Sequence, residues 1–226
     1  MKQKTSKELR DYLFSFISEN KQHLFETIIE NRSRHLTVVL ENIYQPHNAS
    51  AVLRSCDLFG VQDVHIIENS NEYTLSDEVA MGSSKWLTLK KYNETENNTI
   101  ACFDALRKEG YKIVATTPHT NDVLIADLPI GQKTALVFGT ELTGLSEVAM
   151  ENADAFVKIP MYGFTESFNI SVSAALSLYQ FTENMRKSDV DWTLSEEEKI
   201  EIQIAWAMNT IKKSEMIVED FLSKSE

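Results

Sequence analysis

The 226-residue sequence predicts an α/β fold, a mainly parallel sheet with flanking helices. Short apolar runs rich in β-branched residues alternate with amphipathic stretches at the spacing of strand–helix–strand units. Two of the runs, Ile113–Ala115 and Leu136–Phe138, are apolar throughout, as strands covered on both faces must be. Polar residues collect where strands give way to helices, the end of an open α/β sheet at which ligands bind.

Each element has its own signal. Residues 6–34 read as two helices, with Leu9, Leu13, Phe16 and Ile17 and then Leu24, Ile28 and Ile29 at helical spacing. Leu36–Leu40 is the first strand, and Gln45–Asn48 a loop. Residues 49–59 form a helix closed by Gly60, a natural C-cap. Val64–Ile67 is the next strand and Ser84–Leu89 a short apolar alternation. Thr99–Lys108 is an amphipathic helix closed by Gly110. Lys112–Thr116 and Ala135–Gly139 are strands, Ser146–Asn152 a helix, Ala155–Ile159 a strand and Ile170–Arg186 a helix. Ser195 and Glu198 stand at capping-box spacing before a charged helix that runs to Leu222 with an apolar stripe of Ile202, Trp206, Ile211 and Ile217. The organisation expected is an N-terminal helical extension over 1–35, a catalytic domain over 36–187 and a C-terminal helical extension over 188–226.

Bulk properties narrow the function. A formal net charge of -12 gives no global attraction to nucleic acid or to an anionic membrane, so an RNA partner requires a local basic patch. Residues 1–35 offer a weak one, with seven Lys/Arg (Lys2, Lys4, Lys7, Arg10, Lys21, Arg32 and Arg34) against five acids, whereas residues 183–226 carry eleven acids against six bases. Cys56 and Cys102 make neither a disulfide framework nor a zinc site. The histidines His23, His35, His47, His65 and His119 show no metal-ligand spacing, and no metal is expected. The apolar stretch 12–17 is too short for a signal peptide, and no segment approaches the roughly 20 apolar residues of a membrane span. A reducing, cytoplasmic location is the simplest expectation. The seven glycines are scattered, so the dinucleotide fingerprint and the P-loop are absent, and there is no G-x-S-x-G elbow.

Three strand-to-helix junctions carry the chemistry. In the first, Asn48 opens a helix and Arg54 follows six residues later, about 1.7 turns on, so the two point to different faces. Asn48 alone reads as a helix cap. Arg54, among apolar neighbours, is either paired to Asp57 or kept for an anion. In the second, Phe138-Gly139-Thr140-Glu141-Leu142-Thr143-Gly144, a glycine directly after a buried strand permits close backbone approach. Glu141 is there a cap, an anchor or a site acid. In the third, Ile159-Pro160-Met161 leads through a polar loop in which Ser167, Asn169 and Ser171 alternate. Small side-chain oxygens and free backbone N–H groups suit a polar ligand, and equally a helix N-cap.

Taken together and in order, N-x5-R, G-x-E-x-x-G and I-P-M…S-F-N-I-S resemble the three motifs of the SpoU (TrmH-type) RNA 2′-O-ribose methyltransferases, of the SPOUT class. The resemblance covers roughly residues 36–180. Pro46-His47-Asn48, Arg54-Ser55-Cys56-Asp57, Gly60–His65 and Gly82–Trp86 lean further, to the branch that methylates guanosine 18 of tRNA. It implies a SPOUT-type α/β knot, a deep trefoil in the C-terminal part of the domain, with the loops after Phe138 and Ile159 holding S-adenosylmethionine. It also implies a homodimer with its active site at the subunit interface.

Carried over by motif, Arg54 would bind and polarise the ribose–phosphate unit, and Asn48 would orient the arginine and the substrate. Glu141 would fix its loop and the interface, and Asn169 and Ser167 would line the catalytic pocket. Thr116, Gly139, Ile159, Met161 and Phe168 would hold the cofactor, mostly through backbone. Phe168 and Ile170 stand where leucine and valine are commoner, apolar swaps of small expected effect. The tRNA footprint would fall to the N-terminal helices, helped by Arg32, Arg34, Lys85, Lys90 and Lys91. The Ile202 and Trp206 stripe favours packing over RNA contact. The alternatives are 2′-O-methylation of another tRNA nucleotide or of ribosomal RNA, and a non-catalytic SPOUT-fold RNA-binding protein. Against ribosomal RNA stands the short stretch, about 35 residues, ahead of the first strand.

Overall fold

The structure, a computed structural model, describes residues 6–70, 82, 84–118 and 123–223. Lys2, Lys4, Ser83 and His119, named above, lie outside the described residues. The chain divides into two compact units, Ser33–Trp192 and a second made of Met1–Arg32 with Thr193–Glu226.

The larger unit holds strands β1 (Leu36–Glu41), β2 (Asp63–Ile67), β3 (Thr88–Tyr92), β4 (Lys112–Thr116), β5 (Val123–Leu124), β6 (Thr134–Phe138) and β7 (Ala155–Lys158). They form one sheet in the order β3-β2-β1-β6-β4-β7-β5, every described pairing parallel. Its helices are α3 (Pro46–Phe59), α4 (Asn98–Lys108), α5 (Glu147–Asn152) and α6 (Ile170–Arg186). Side chains alternate along a strand, so each strand feeds two cores. Leu36, Val38 and Leu40 of β1 pack with Val52, Leu53 and Cys56 of α3 and with Ala174, Leu178 and Phe181 of α6. Val39 packs on the opposite face with Cys102, Phe103 and Leu106 of α4. The predicted mainly parallel sheet with flanking helices is what forms.

Local differences have local causes. The helix predicted to start at Ala49 starts at Pro46, because proline at the first helical position needs no N–H partner. Gln45 is therefore the N-cap, and Asn48 lies inside the first turn rather than capping it. The alternation at 84–89 is a 3-10 turn (Ser84–Trp86) followed by β3. The two-residue β5 carries no periodicity a sequence could reveal. Cys56 and Cys102 are buried and form no disulfide.

The second unit contains α1 (Ser6–Phe14), α2 (Glu19–Ile29), α7 (Glu196–Thr210) and α8 (Ser214–Ser223). The predicted capping box forms, with Ser195 and Glu198 bonding each other's backbone N–H. The charged run to Leu222 is broken in two at Lys213, whose φ is 58°. Trp206 is buried, with Phe25 at 5.3 Å and the Arg32 guanidinium at 5.4 Å over its ring. Tyr12 stacks at 5.0 Å on Phe221. The Ile202 and Trp206 stripe thus packs inward. Among the described residues no helix is long and apolar enough to cross a membrane.

Candidate active site

Parallel register brings the carboxyl ends of the central strands level. Leu40 pairs with Phe138, Ala115 with Val137 and Thr116 with Val157. Beyond this row lies a cavity of about 460 Å³, bounded by the loops after β4, β6 and β7 and by one face of α6. Thr116, Gly139, Glu141, Ile159, Met161, Ser167 and Phe168 all line it, so five predicted cofactor residues and two predicted catalytic residues share one space.

The loop after β6 is tightly folded. Thr140 N–H donates to Gly144 O at 2.9 Å, and Gly144 N–H returns to Thr140 O at 3.1 Å. Gly144 takes φ 68°, a conformation that favours glycine. A methyl group on Gly139 would overlap the backbone of Gly144 and Leu145, so no other residue fits there. At the neighbouring strand end, Thr116 Oγ1 donates to Val137 O at 2.8 Å, which holds that hydroxyl against β6.

Asn48 is the meeting point of the three motifs. It is buried, its Nδ2 donates to Gln45 Oε1 at 2.9 Å and to Glu141 Oε1, and its Oδ1 accepts from Asn169 Nδ2 at 3.1 Å. Asn169 is in turn the N-cap of α6, its Oδ1 accepting from Ser171 N–H at 2.9 Å and Ser171 Oγ at 2.5 Å. The cap reading of Asn169 is what forms, and the same side chain bonds Asn48; Ser167 lines the cavity and Asn169 is not among its lining residues. Gln45 and Ser171 were not singled out as site residues. The helix-start proline after Gln45 was the available signal for the first, and the alternation with Ser167 and Asn169 for the second.

Arg54 is placed elsewhere. It is exposed, in a groove between α3 and α6 lined also by His47, Ser50, Phe59, Leu176 and Tyr179. α6 turns Ser173 and Ser177 to the cavity and Ser171, Val172, Ala175 and Leu176 to the groove. Arg54 and the cavity therefore lie on different faces of one helix. Among the described residues no carboxylate pairs with Arg54, which corrects the Asp57 ion pair left open by the sequence. Leu58, Val172, Leu176 and Tyr179 are exposed beside it.

The expected basic helpers are mostly engaged within the protein. Arg32 is buried, Arg34 reaches Asp63 at 3.3 Å, Lys90 reaches Glu109 at 3.2 Å and Lys91 reaches Glu68 at 3.6 Å. Burial, aided by the Lys90 ammonium, holds the His65 imidazole down at about 3, so it is neutral beside Tyr92. Among the described residues no cluster of His, Cys, Asp and Glu is arranged for a metal ion.

A parallel α/β sheet with a cavity at its carboxyl edge, and no dinucleotide motif in the sequence, sets the class of the domain. The chain belongs to the SpoU rRNA Methylase family, whose model matches residues 35–179. It is 42% identical over 205 residues to a tRNA (guanosine(18)-2′-O)-methyltransferase of Borreliella burgdorferi, covering 91% of this chain and 92% of that one. An enzyme of the same name from Thermus thermophilus is 35% identical over 144 residues, 64% of this chain and 72% of the other. The crystal structure of the Aquifex aeolicus TrmH/SpoU tRNA modifying enzyme superposes with a TM-score of 0.76 at 29% identity, covering 86% and 98% of the two chains. The SpoU methyltransferase AviRb of Streptomyces viridochromogenes, solved in complex with AdoMet, shares the fold with a TM-score of 0.60 at 24% identity.

Proposed function

We propose that this chain methylates a ribose 2′-oxygen of tRNA, at guanosine 18 of the D-loop, using S-adenosylmethionine. The observation that carries the reading is the bonded group Glu141–Asn48–Asn169, which joins the three motifs at the edge of the cavity. The name and near-complete coverage of the Borreliella relative support the choice of nucleotide.

The cavity suits that cofactor. Its volume lies in the range of about 300–1,000 Å³ usual for small-molecule sites. Met150, Ile159, Met161 and Ile170 offer apolar wall, loop backbone offers hydrogen bonds, and Glu141 and Glu166 offer carboxylates for a cationic ligand. When bound, the cofactor supplies an electrophilic methyl group on a sulfonium. Thr116, Gly139, Ile159, Met161 and Phe168 hold it. Asn169 and Ser167 line the place of the reacting ribose, and Asn48 and Glu141 fix the loops that carry them.

Arg54 binds the ribose–phosphate unit through its rigid fork and polarises the 2′-hydroxyl. A guanidinium stays protonated, so its contribution is positioning and charge. Its lack of a carboxylate partner leaves it available for a phosphate. Two chains pair through the exposed apolar face of α3 and α6, so that Arg54 of one chain meets the cavity of the other across α6. The knot threads the chain at the loops that follow Phe138 and Ile159. Residues 1–35 supply RNA contact, residues 36–187 catalysis, and the C-terminal helices pack. The enzyme works in the cytoplasm.

The test incubates the purified chain with labelled S-adenosylmethionine and unmodified tRNA transcripts, then maps the methylated ribose, with Arg54→Ala as control. Methyl on the 2′-oxygen of guanosine 18, lost in the variant, is the expected result. Transfer to another tRNA nucleotide or to ribosomal RNA alone would keep the class and reject the nucleotide. No transfer to any RNA would leave a non-catalytic member of the fold.

A further inference from the structure

Glu41 ends β1 with its side chain almost wholly buried, 1% exposed. A buried carboxylate persists only where donors replace the lost water. Three do so. Thr99 Oγ1 at 2.6 Å and Ser146 Oγ at 2.7 Å donate to Oε1, and Ser146 N–H at 2.9 Å donates to Oε2. Among the described residues no lysine or arginine pairs with Glu41.

Ser146 ends the loop that forms the cavity wall. The loop leaves β6 at Gly139, folds back through the Thr140–Gly144 bridge, and reaches Ser146, the N-cap of α5. β1 and β6 are neighbours, and the pairing of Leu40 with Phe138 sets Glu41 level with Gly139. One end of the loop is thus fixed by the sheet and the other by Glu41 from the adjacent strand. Glu141, Leu142 and Thr143, which line the cavity, hang between these two anchors.

We propose that Glu41 is a positioning residue for the cofactor: it sets how the Thr140–Leu145 loop is presented to the cavity, and through it the affinity for S-adenosylmethionine. The proposal rests on the reading of the cavity as the cofactor site. Glu41 itself does not line the cavity, and it acts only through Ser146.

The experiment measures S-adenosylmethionine binding by calorimetry, with KM, kcat and melting temperature, for the full chain carrying Glu41→Ala, Glu41→Gln or Thr99→Val. Glu41→Ala is expected to weaken binding about tenfold and raise KM in step, with kcat at saturating cofactor within about threefold of the parent. Glu41→Gln keeps an acceptor for Ser146 N–H and can donate to the two hydroxyls, so most of the affinity returns. Thr99→Val removes the α4 donor to Glu41, and with it the bond from Asn69 Nδ2 to Thr99, but leaves Ser146 in place, and holds binding within about twofold. Unchanged binding in Glu41→Ala with a lower melting temperature, or equal weakening by Thr99→Val, would make Glu41 a core anchor and overturn the proposal.

If Glu41→Ala does not fold, Ser146→Ala, which deletes the hydroxyl bond to Glu41 and with it the cap bond from Ala149 N–H, is expected to weaken binding about threefold, and parental affinity there overturns the proposal. A parent chain that binds no S-adenosylmethionine sinks the reading of the cavity instead. Amide exchange over residues 140–146 in Glu41→Ala, or in Ser146→Ala where that variant does not fold, then decides the positioning role, faster exchange keeping it and unchanged exchange rejecting it.

Discussion

The two faces of α6 are built on opposite principles. On the cavity side the loop after β6 is fixed by the main-chain Thr140–Gly144 bridge and by a glycine for which no side chain can substitute, and Met150, Ile159 and Met161 complete the wall. On the groove side Arg54, with no carboxylate partner among the described residues, stands among exposed Leu58, Leu176 and Tyr179. A cavity closed by the chain's own hydrogen-bonded loops is finished within one chain and serves a small ligand of constant shape. An unpaired cation ringed by exposed apolar side chains is unfinished, and it suits completion by a second copy and a polyanion.

The largest effect should come from the unfinished side. Arg54→Ala is expected to lower methyl transfer by about a thousandfold, a loss of about 4 kcal/mol in transition-state stabilisation, with S-adenosylmethionine affinity unchanged. Single-turnover transfer and calorimetry on the same sample check both halves. Arg54→Lys keeps the charge without the fork, and full activity there would show that geometry is not needed. The comparison has a sharper form in mixed dimers. A chain carrying Arg54→Ala paired with one carrying Gly139→Ala retains one intact site if Arg54 serves the partner's cavity, about half the parental rate per dimer. If Arg54 serves its own cavity, no site survives, and the two faces would have to act within one chain.

Gly139→Ala should come next. The added methyl meets the peptide that joins Gly144 to Leu145, so the loop must move, and cofactor affinity should fall by about a hundredfold. A dissociation constant within threefold of the parent's would mean that the loop is softer than its hydrogen bonds suggest. Asn48→Ala should have a smaller effect on both faces at once. It removes the amide that joins Glu141 to Asn169 and unpairs groups at both, a cost of about 1–3 kcal/mol. Kinetics in which KM for the cofactor and KM for tRNA both rise would support it, whereas a change in one alone would confine Asn48 to one face.

What was legible in the sequence follows the same division. The strands were legible because fully buried parallel strands read as unbroken apolar runs, as in Leu136–Phe138. Gly139 was legible because a glycine directly after such a run marks a close approach of backbone. Two-residue β5 was not legible, since its pairing is set by β7 and not by its own residues. Nor was the displacement of Arg54 to the groove, because helical phase separates Asn48 from Arg54 but does not say what each faces. Glu41 was invisible for a related reason. An acid at the end of an apolar strand reads as a strand terminus, and only the parallel register brings Ser146 and Thr99 to it. Counting charges does not show that Lys90 reaches Glu109 or that Lys91, itself exposed, reaches Glu68.

The smallest effect tests the finished side from the other direction. Phe168 lines the cavity and is 40% exposed. Its contribution is apolar contact and, through its backbone, loop shape. Phe168→Leu removes a ring but no hydrogen bond, and apolar swaps of this kind cost less than about 1.5 kcal/mol even in a closed core. At a half-open position the change in cofactor affinity should be about twofold. A tenfold loss would mean that the aromatic ring itself stacks on the ligand, and the cavity would then depend on a side chain as the groove depends on Arg54. Parental affinity would leave the contrast between the two faces of α6 intact.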